Sequence, residues 1–453
     1  MSAVAQIDFR ANSVQALRNP IVRAAMRNAT ETFAAKRAEA LSNVPFEELR
    51  EAASRVRMDV LDNLTAYLDR FLERASRAGA KVHRAKDSAE ARETIARILK
   101  GNGVTSVVKS KSMVSEEIHL NDHLVKQGMT VLETDLGEYI IQLARERPSH
   151  IIVPAIHSDR KQVGKLFAEK LGCEYSEDPR QLTNIARKVL REKFLSAEAG
   201  ISGANFALAD SGSIVVFTNE GNGRMCTTLP PLHIAVLSIE KILPSFKDLP
   251  LFMRLLPRSA TGQSLTSYMS LITGTRKTGE GTGAKELHLV LVDNGRSEIV
   301  TGTYREMLKC IRCGACLNAC PVYRIVGGHA YGTVYPGPMG IVLTTLLDGI
   351  ENAHPLLDAT TLCGACGDVC PVKIPLPGFL RRLREEKVRR GLTPTRERFG
   401  MAGFGFAASS SRLFGLGQTA ARTFWPIAAS FGRSEGLRRI PAPAARTFHR
   451  RVS

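Results

Sequence analysis

Two short cysteine runs constrain this chain more than any other feature of its sequence. Seven of the nine cysteines lie in CIRCGACLNACP (310–321) and CGACGDVCP (363–371). The first run has the spacing C-x2-C-x2-C-x3-C-P, with which bacterial-type ferredoxins hold [4Fe–4S] clusters. In that spacing three thiolates wrap one cluster in a tight loop, and the fourth binds a second cluster. The two runs therefore predict a pair of iron–sulfur clusters.

The second run lacks one cysteine. When Cys370 is aligned with Cys320, the same spacing requires cysteines at 366, 363 and 360, and position 360 is Thr360. Crossed ligation then gives one cluster four thiolates and the other cluster three. The first set is Cys310, Cys313, Cys316 and Cys370, and the second set is Cys320, Cys363 and Cys366.

The missing cysteine leaves the fourth ligand of the second cluster open. A threonine hydroxyl is a poor iron ligand, because metal sites of this kind select thiolates. The site suits a [3Fe–4S] cluster, or a [4Fe–4S] cluster whose fourth iron binds water, an atom of a partner or another side chain. His329 and His354, which lie between the runs, are the first side chains to consider.

Zinc and disulfides are the competing uses of clustered cysteines. Structural zinc usually takes four ligands in two pairs, without a third close cysteine and a Cys-Pro ending. Disulfides belong to oxidising compartments, and the N-terminus MSAVAQIDFRANSV has no secretory signal. The two runs favour iron and sulfide over both. The outlying Cys173 and Cys226 stand alone, which is typical of small buried apolar residues.

Positive charge is concentrated near the C-terminus. The chain has 62 Lys and Arg against 44 Asp and Glu, a net charge of +18, and residues 381–453 hold 16 against 4, which is +12. Such a tail suits an anionic membrane surface or an acidic partner. Nucleic acid is not expected, because no nucleic-acid motif accompanies the tail. No apolar run approaches the ~20 residues of a membrane span, so we expect a cytoplasmic protein, at most peripheral to the inner face of the membrane.

Hydrophobic periodicity predicts four regions. Residues 1–79 form a helical lead-in, and residues 80–300 alternate strands such as KVHRA, TSVVKS, MTVLET and HIIVPAI with helices, which predicts an α/β domain with a largely parallel sheet. Within it, FALADSGSIVVFT predicts a hairpin that turns at 210–212. Cysteine loops among helices follow at 301–392, and the basic tail occupies 393–453.

Two polar loops in the α/β region are candidate ligand sites. Lys109 and Lys111 follow a predicted strand, where open α/β sheets often bind ligands. Glu220 and Arg224 lie in TNEGNGR, a glycine-rich strand exit that can offer backbone N–H groups to an anion. The alternative is that both segments are ordinary loops.

The order of these parts resembles the lactate utilization protein B (LutB/YkgF) family of bacterial iron–sulfur proteins. The resemblance covers nearly the whole chain, and its specific parts are the two cysteine runs, SGSIVVFTNEGNGRM and PPLHIAVLSIEKILP. The cysteine runs alone would also suit the iron–sulfur subunits of fumarate reductase or succinate dehydrogenase, or heterodisulfide-reductase-type subunits, but those lack the large α/β domain. The resemblance implies a LUD domain, similar to NagB and CoA-transferase-like proteins, joined to an α-helical ferredoxin domain. All seven cysteines match the cluster ligands of the family.

The resemblance also implies a function. Proteins of the family support oxidation of L-lactate to pyruvate, alongside a cysteine-rich companion subunit and a free-standing LUD protein. We expect an electron-transfer subunit, because the sequence has no evident flavin site or catalytic His/Arg constellation. The alternatives are a self-contained oxidoreductase with its substrate site in the LUD domain, and a cluster-based redox regulator whose tail contacts nucleic acid.

Overall fold

The computed structural model describes residues 7–432. The chain divides into two compact units, the first ending at Glu385 and the second beginning at Glu386. The first unit contains the N-terminal helices, the α/β domain and both cysteine runs. The two units are considered separately below.

Four helices precede the first strand, as the periodicity predicts. They are α1 (Phe9–Arg18), α2 (Pro20–Ser42), α3 (Phe46–Asp62) and α4 (Leu64–Arg77). On α4 the buried residues Leu64, Leu68, Phe71 and Ala75 recur at helical spacing. They pack in one core cluster with residues of the central sheet, including Leu237. The helical lead-in therefore covers one face of that sheet.

The α/β domain alternates strands and helices. Its strands are β1 (Lys81–Ala85), β2 (Ser106–Lys109), β3 (Thr130–Glu133), β4 (Ala199–Gly203), β5 (Phe206–Leu208), β6 (Ser213–Thr218), β7 (Leu232–Ser238), β8 (Ile242–Leu243), β9 (Tyr268–Ile272) and β10 (Glu286–Val292). Its helices are α5 (Ser88–Gly101), α6 (Met113–Glu117), α7 (Leu120–Lys126), α8 (Leu136–Ala144), α9 (Arg160–Leu171), α10 (Pro179–Ser196), α11 (Asn222–Thr228), α12 (Leu249–Thr261) and α13 (Arg296–Thr301).

Two sheets organise the domain. The larger sheet has the order β1-β10-β7-β4-β2-β3, and all its neighbouring strands run parallel. On β7, Ile234 and Val236 lie in one core cluster while Ala235 and Leu237 lie in another, because successive side chains point to opposite faces. The smaller sheet has the order β8-β5-β6-β9. Antiparallel pairing of β5 with β6 confirms the predicted hairpin, and the predicted α/β class is confirmed.

One predicted strand is wrong. Residues 150–156 (HIIVPAI) run as bends and turns. The backbone N–H groups of Ile152 and Val153 donate to Nδ1 of His150 at 2.9 and 3.1 Å, so they are satisfied without a neighbouring strand. Pro154 has no N–H to offer a ladder. An apolar run does not by itself separate a strand from a buried loop.

Short helices surround the cysteine runs, as expected of an α-helical ferredoxin domain. They are α14 (Ala315–Ala319), α15 (Tyr323–Val326), α16 (Gly337–Asp348), α17 (Ile350–Ala353), α18 (Ala365–Asp368) and α19 (Leu376–Arg389). The second unit contains α20 (Thr395–Ala408) and α21 (Ser411–Gly432). Of the helices within 7–432, none is long and apolar enough to cross a membrane. The part of the predicted basic tail after Gly432 lies outside the described residues.

Candidate functional site

Four buried cysteines line one small cavity, which we call the first thiol site. They are Cys310, Cys313, Cys316 and Cys370. The backbone N–H of Arg312 donates to Sγ of Cys310 at 3.4 Å, and that of Ile374 donates to Sγ of Cys370 at 3.3 Å. N–H donation to sulfur is one of the features that tune iron–sulfur clusters. Four converging thiols with such donors fit a [4Fe–4S] cluster, and the structure brings the distant Cys370 to the first run.

The other three cysteines of the runs line a separate cavity, the second thiol site. They are Cys320, Cys363 and Cys366, and Thr360 and Thr361 line the same cavity. Cys320 and Cys366 are buried, whereas Cys363 is exposed. Oγ1 of Thr360 accepts a hydrogen bond from the N–H of Leu362 at 3.1 Å. Three thiols and a threonine at one cavity fit a cluster held by three thiolates.

Neither histidine between the runs lines the second thiol site in the described part of the chain. Nε2 of His329 lies 2.6 Å from the carbonyl oxygen of Arg147, and its ring lies 4.4 Å from the ring of His157. His329 therefore belongs to a different cluster of side chains. The tyrosine Tyr331 is closer to the site, since it interacts with the thiol of Cys320.

The two runs follow the same backbone path. Arg312 and Leu362, each directly before a cysteine, have φ of 60° and 55°. Gly314 and Gly364, each directly after that cysteine, have φ of 76° and 91°. A positive φ is uncommon for a residue with a side chain, so both loops hold a strained residue at the same position. Strain of this kind persists where the surrounding structure fixes it.

Buried positive charge surrounds the first thiol site. Arg57, Lys241 and Arg312 are all buried, and each interacts electrostatically with both Cys310 and Glu240. Arg57 and Arg312 around the Glu240 carboxylate leave an excess of positive charge, and burial lowers the pKa of the third group, Lys241, to about 7. A buried charge excess is costly unless it is compensated. Thiolates bound to a cluster would supply the compensating negative charge, which is a second way in which this site fits an iron–sulfur cluster.

Glu240 is the carboxylate at the centre of this group. It directly follows β7 in a short 3-10 helix, Ile239–Lys241. Its Oε2 lies 2.9 Å from Nε of Arg296, and its Oε1 lies 3.4 Å from Nη2 of Arg312. Burial alone would raise the pKa of Glu240, but Arg296 and Arg312 outweigh it and hold the pKa at about 2. Glu240 is therefore ionised at neutral pH.

A larger cavity of about 380 Å³ lies in the α/β domain. It opens at the carboxyl ends of parallel strands, because its walls include residues that follow β2, β3, β4 and β7 in turn. These are Ser110 to Ser112, Asp135, Ala204 and Lys241. This edge is where open α/β sheets bind ligands. The irregular segment Ile151 to Pro154 also lines the cavity and gives it apolar side chains.

The structure separates the four residues predicted to bind a ligand. Lys111 and Glu220 line the cavity, whereas Lys109 and Arg224 are not among its lining residues. Nζ of Lys109 is buried in an ion pair with Glu133 at 2.7 Å, so it serves the interior of the domain. Arg224 is exposed on α11.

The cavity and the first thiol site share part of their walls. Ile151 and Arg312 line both. Sequence reasoning did not identify Arg312 or Lys241 as cavity residues. The sequence shows that Arg312 lies within a C-x2-C segment, but it does not show that Lys241 becomes its neighbour in the folded chain. Lys241, in SIEKILP, carries no local signal for a site.

Two protein-family models match the chain, and several known proteins are similar to it. Residues 68–292 match the LUD domain family, and residues 306–374 match the 4Fe-4S dicluster domain family. An uncharacterized electron transport protein, YkgF of Escherichia coli, is 45% identical over 414 residues, covering 91% of this chain and 87% of that protein. Lactate utilization protein B of Bacillus subtilis is 43% identical over 440 residues, covering 96% and 91%. A solved structure of a DUF162 family protein from Deinococcus radiodurans aligns with 51% of this chain and 98% of its own, at 16% identity and a TM-score of 0.30.

Proposed function

This chain belongs to the lactate utilization protein B family, and from that premise we propose that it is the iron–sulfur electron-transfer subunit of a system that oxidises L-lactate to pyruvate. A cysteine-rich companion subunit and a free-standing LUD protein complete the proposed system. Each bound cluster would accept and pass on one electron at a time. The seven cysteines of the two thiol sites would hold the clusters.

The arrangement of the two thiol sites supports this proposal. The first site is buried and shares walls with the cavity of the α/β domain. The second site reaches the surface, where Cys363 is exposed and the neighbouring Leu362 is 37% exposed. A carrier protein needs one site near the source of electrons and another within reach of a partner. The first thiol site, beside the cavity, suits the first need, and the second thiol site, at the surface, suits the second.

Anaerobic reduction of the purified, cluster-loaded chain tests the proposal. We expect L-lactate alone to leave the visible absorption of both clusters unchanged, and lactate with the two companion proteins to bleach it. A matched mixture that contains Cys313→Ser should show a smaller absorbance change. If the companions and lactate together never reduce the chain, the proposal is wrong.

The cavity favours a second candidate, a self-contained oxidoreductase with its substrate site in the LUD domain. The specific observation is that the cavity borders the first thiol site through Ile151 and Arg312. This candidate predicts that lactate reduces the clusters of the chain alone. The same anaerobic experiment therefore separates the two functions.

A further inference from the structure

The cavity of the α/β domain has the size and position of a small-molecule site. Its volume of about 380 Å³ lies within the range of roughly 300–1,000 Å³ for ligand pockets. Apolar walls from Leu256, Pro257 and Ala260 of α12 face polar strand exits across it. Apolar walls with a few placed polar groups are typical of binding sites.

One buried amino group at this cavity lacks a hydrogen-bond partner, and a second lies beside a carboxylate that two arginines already share. Nζ of Lys111 is buried without a hydrogen-bond partner in the described chain. Lys241 is 6% exposed and lines the cavity. Its electrostatic neighbours are Arg312, Glu240, Cys310 and Arg57, and Glu240 already forms ion pairs with Arg296 and Arg312. Burial disfavours the charged form of an amine, so an anion in the cavity would stabilise the ammonium form of both lysines.

The charge of the walls limits the kind of anion. Three basic side chains (Lys111, Lys241 and Arg312) and two carboxylates (Asp135 and Glu220) line the cavity. Burial lowers the pKa of Lys111 and that of Lys241, the latter to about 7, and raises the pKa of Glu220, so a bound anion would favour the charged form of both lysines. A single carboxylate is enough for this, and Asp135 and Glu220 oppose phosphate-rich ligands such as nucleotides. The planar guanidinium of Arg312 has the geometry to donate two hydrogen bonds to one carboxylate.

The position of Arg312 places such a ligand next to the first thiol site. Arg312 precedes Cys313 in sequence and lines both the thiol site and the cavity. Its backbone is left-handed, and its guanidinium lies 4.8 Å from the centre of the Tyr335 ring, which holds it in place. A carboxylate bound by Arg312 would therefore contact the residue that directly precedes Cys313, a proposed cluster ligand.

We propose that this cavity binds a small monocarboxylate, that Lys241 and Arg312 hold its carboxylate, and that Lys111 contributes a further positive charge. The assignment of the ligand as a 2-hydroxy acid or its 2-oxo product rests on the proposed function. The carboxylate site itself rests on the cavity and its charges.

Binding to the anaerobic, cluster-loaded chain tests the site without turnover. Pyruvate is the main probe, because it binds without donating electrons, and acetate and inorganic phosphate are the comparison anions. We expect isothermal titration calorimetry to show one pyruvate per chain and weaker binding of phosphate. Pyruvate should also shift the electron paramagnetic resonance signal that Cys313→Ser removes, and leave the other signal unchanged.

Charge removal locates the site. Lys241→Met should weaken pyruvate binding about tenfold or more, because it removes a charge-assisted hydrogen bond. Lys111→Met should also weaken it. The matched control is Lys247→Met, an exposed lysine that does not line the cavity, which should bind pyruvate like the unmodified chain. Iron content and circular dichroism identify any variant that fails to fold. If Lys241→Met fails to fold, pyruvate binding to Lys111→Met tests the site independently.

Each outcome has one meaning. Phosphate binding tighter than pyruvate, or unchanged pyruvate affinity in folded Lys241→Met and Lys111→Met, overturns the carboxylate site. Lysine-dependent pyruvate binding supports it, even if lactate with the companion proteins never reduces the chain. In that case the proposed function fails while the site stands. If lactate with the companion proteins reduces the chain normally but pyruvate does not bind, the proposed function stands and the carboxylate site fails.

Discussion

Nη2 of Arg312 lies 3.4 Å from Oε1 of Glu240, and this pair connects the first cysteine loop to the end of β7. Arg57 of α3 donates to the backbone carbonyl of Glu240 and, at 2.9 Å, to that of Leu308. One glutamate therefore joins three parts of the first unit: the N-terminal helices, the parallel sheet and the cysteine loop. The cavity walls and the first thiol site depend on the same contacts.

Removing the charge of Glu240 should destabilise the protein strongly. Glu240→Gln leaves Arg312 as a buried cation without its carboxylate, while Arg296 keeps only its pair with Glu117, and we expect a loss of about 3–5 kcal/mol in the free energy of unfolding. The control Glu31→Gln breaks a pair in which the Glu31 side chain is 58% exposed, and it should cost less than about 1 kcal/mol. Chemical denaturation of both variants measures the difference, and equal losses would contradict the central role of Glu240.

The grouping of cysteines predicts which variants share a defect. Cys370→Ser and Cys313→Ser should remove the same spectroscopic signal, because both thiols line the first thiol site. Cys363→Ser should remove the other signal. Cys173→Ser and Cys226→Ser should keep both, since neither thiol lines either site. Loss of one common signal in Cys370→Ser and Cys363→Ser would contradict crossed ligation.

Thr360 gives a gain-of-ligand test. Thr360→Cys places a thiol at a residue that already lines the second thiol site, and it should add about one iron per chain by completing the ferredoxin spacing. The unmodified chain should contain some or all of its second cluster as [3Fe–4S] after mild oxidation. Iron analysis and electron paramagnetic resonance measure both effects. Two stable four-iron clusters in the unmodified chain would mean that another group already supplies the ligand.

The stability of the fold should fall with rising pH in a range set by Glu138. Burial raises the pKa of the Glu138 carboxyl to about 8, although Lys111 opposes the shift, whereas an unfolded glutamate titrates near ~4.3. Between these values the folded state keeps a proton that the unfolded state has released, so stability decreases as pH rises. Glu138→Gln should flatten this dependence in thermal unfolding between pH 5 and 8. The exposed control Glu169→Gln should keep the slope of the unmodified chain, and identical slopes in all three proteins would refute the assignment.

The chain after Gly400 should be dispensable for the clusters. Every cysteine of the thiol sites precedes residue 371, so deletion of residues 401–453 should leave the iron content unchanged. The deleted part includes Phe404, Phe406 and Leu416, all exposed apolar side chains, on a strongly basic segment. We expect the truncated chain to lose salt-sensitive association with anionic vesicles or with the companion proteins. If association persists across a salt titration, the tail has no such role.

The sequence predicted the parts of this protein that depend on local pattern. Cysteine spacing grouped seven residues into the two sets that the structure brings to two cavities, and strand-like runs between helices located β1, β2, β3 and the β5–β6 hairpin. It could not predict that HIIVPAI is a loop, because a buried loop and a buried strand have the same composition.

The cavity residues show the other limit of sequence reasoning. Lys109 and Lys111 are two positions apart, yet one pairs with Glu133 in the interior and the other lines the cavity. Lys241 and Arg312 meet only after the chain folds, and they are 71 positions apart (312 minus 241). Tertiary packing decides which of these charged side chains become neighbours, and it leaves no short-range pattern in the sequence.

The shared backbone path of the two cysteine loops gives the protein a built-in comparison. Arg312 and Leu362 have nearly the same left-handed conformation. The Arg312 guanidinium lies over the Tyr335 ring and pairs with Glu240, whereas Leu362 is exposed. We therefore expect any difference in durability between the two proposed clusters to come from their coverage and ligand number rather than from the loop itself. Oxidants and chelators in solution should reach the second loop first, so the ratio of the two cluster signals in a preparation should report how far it has been exposed to them.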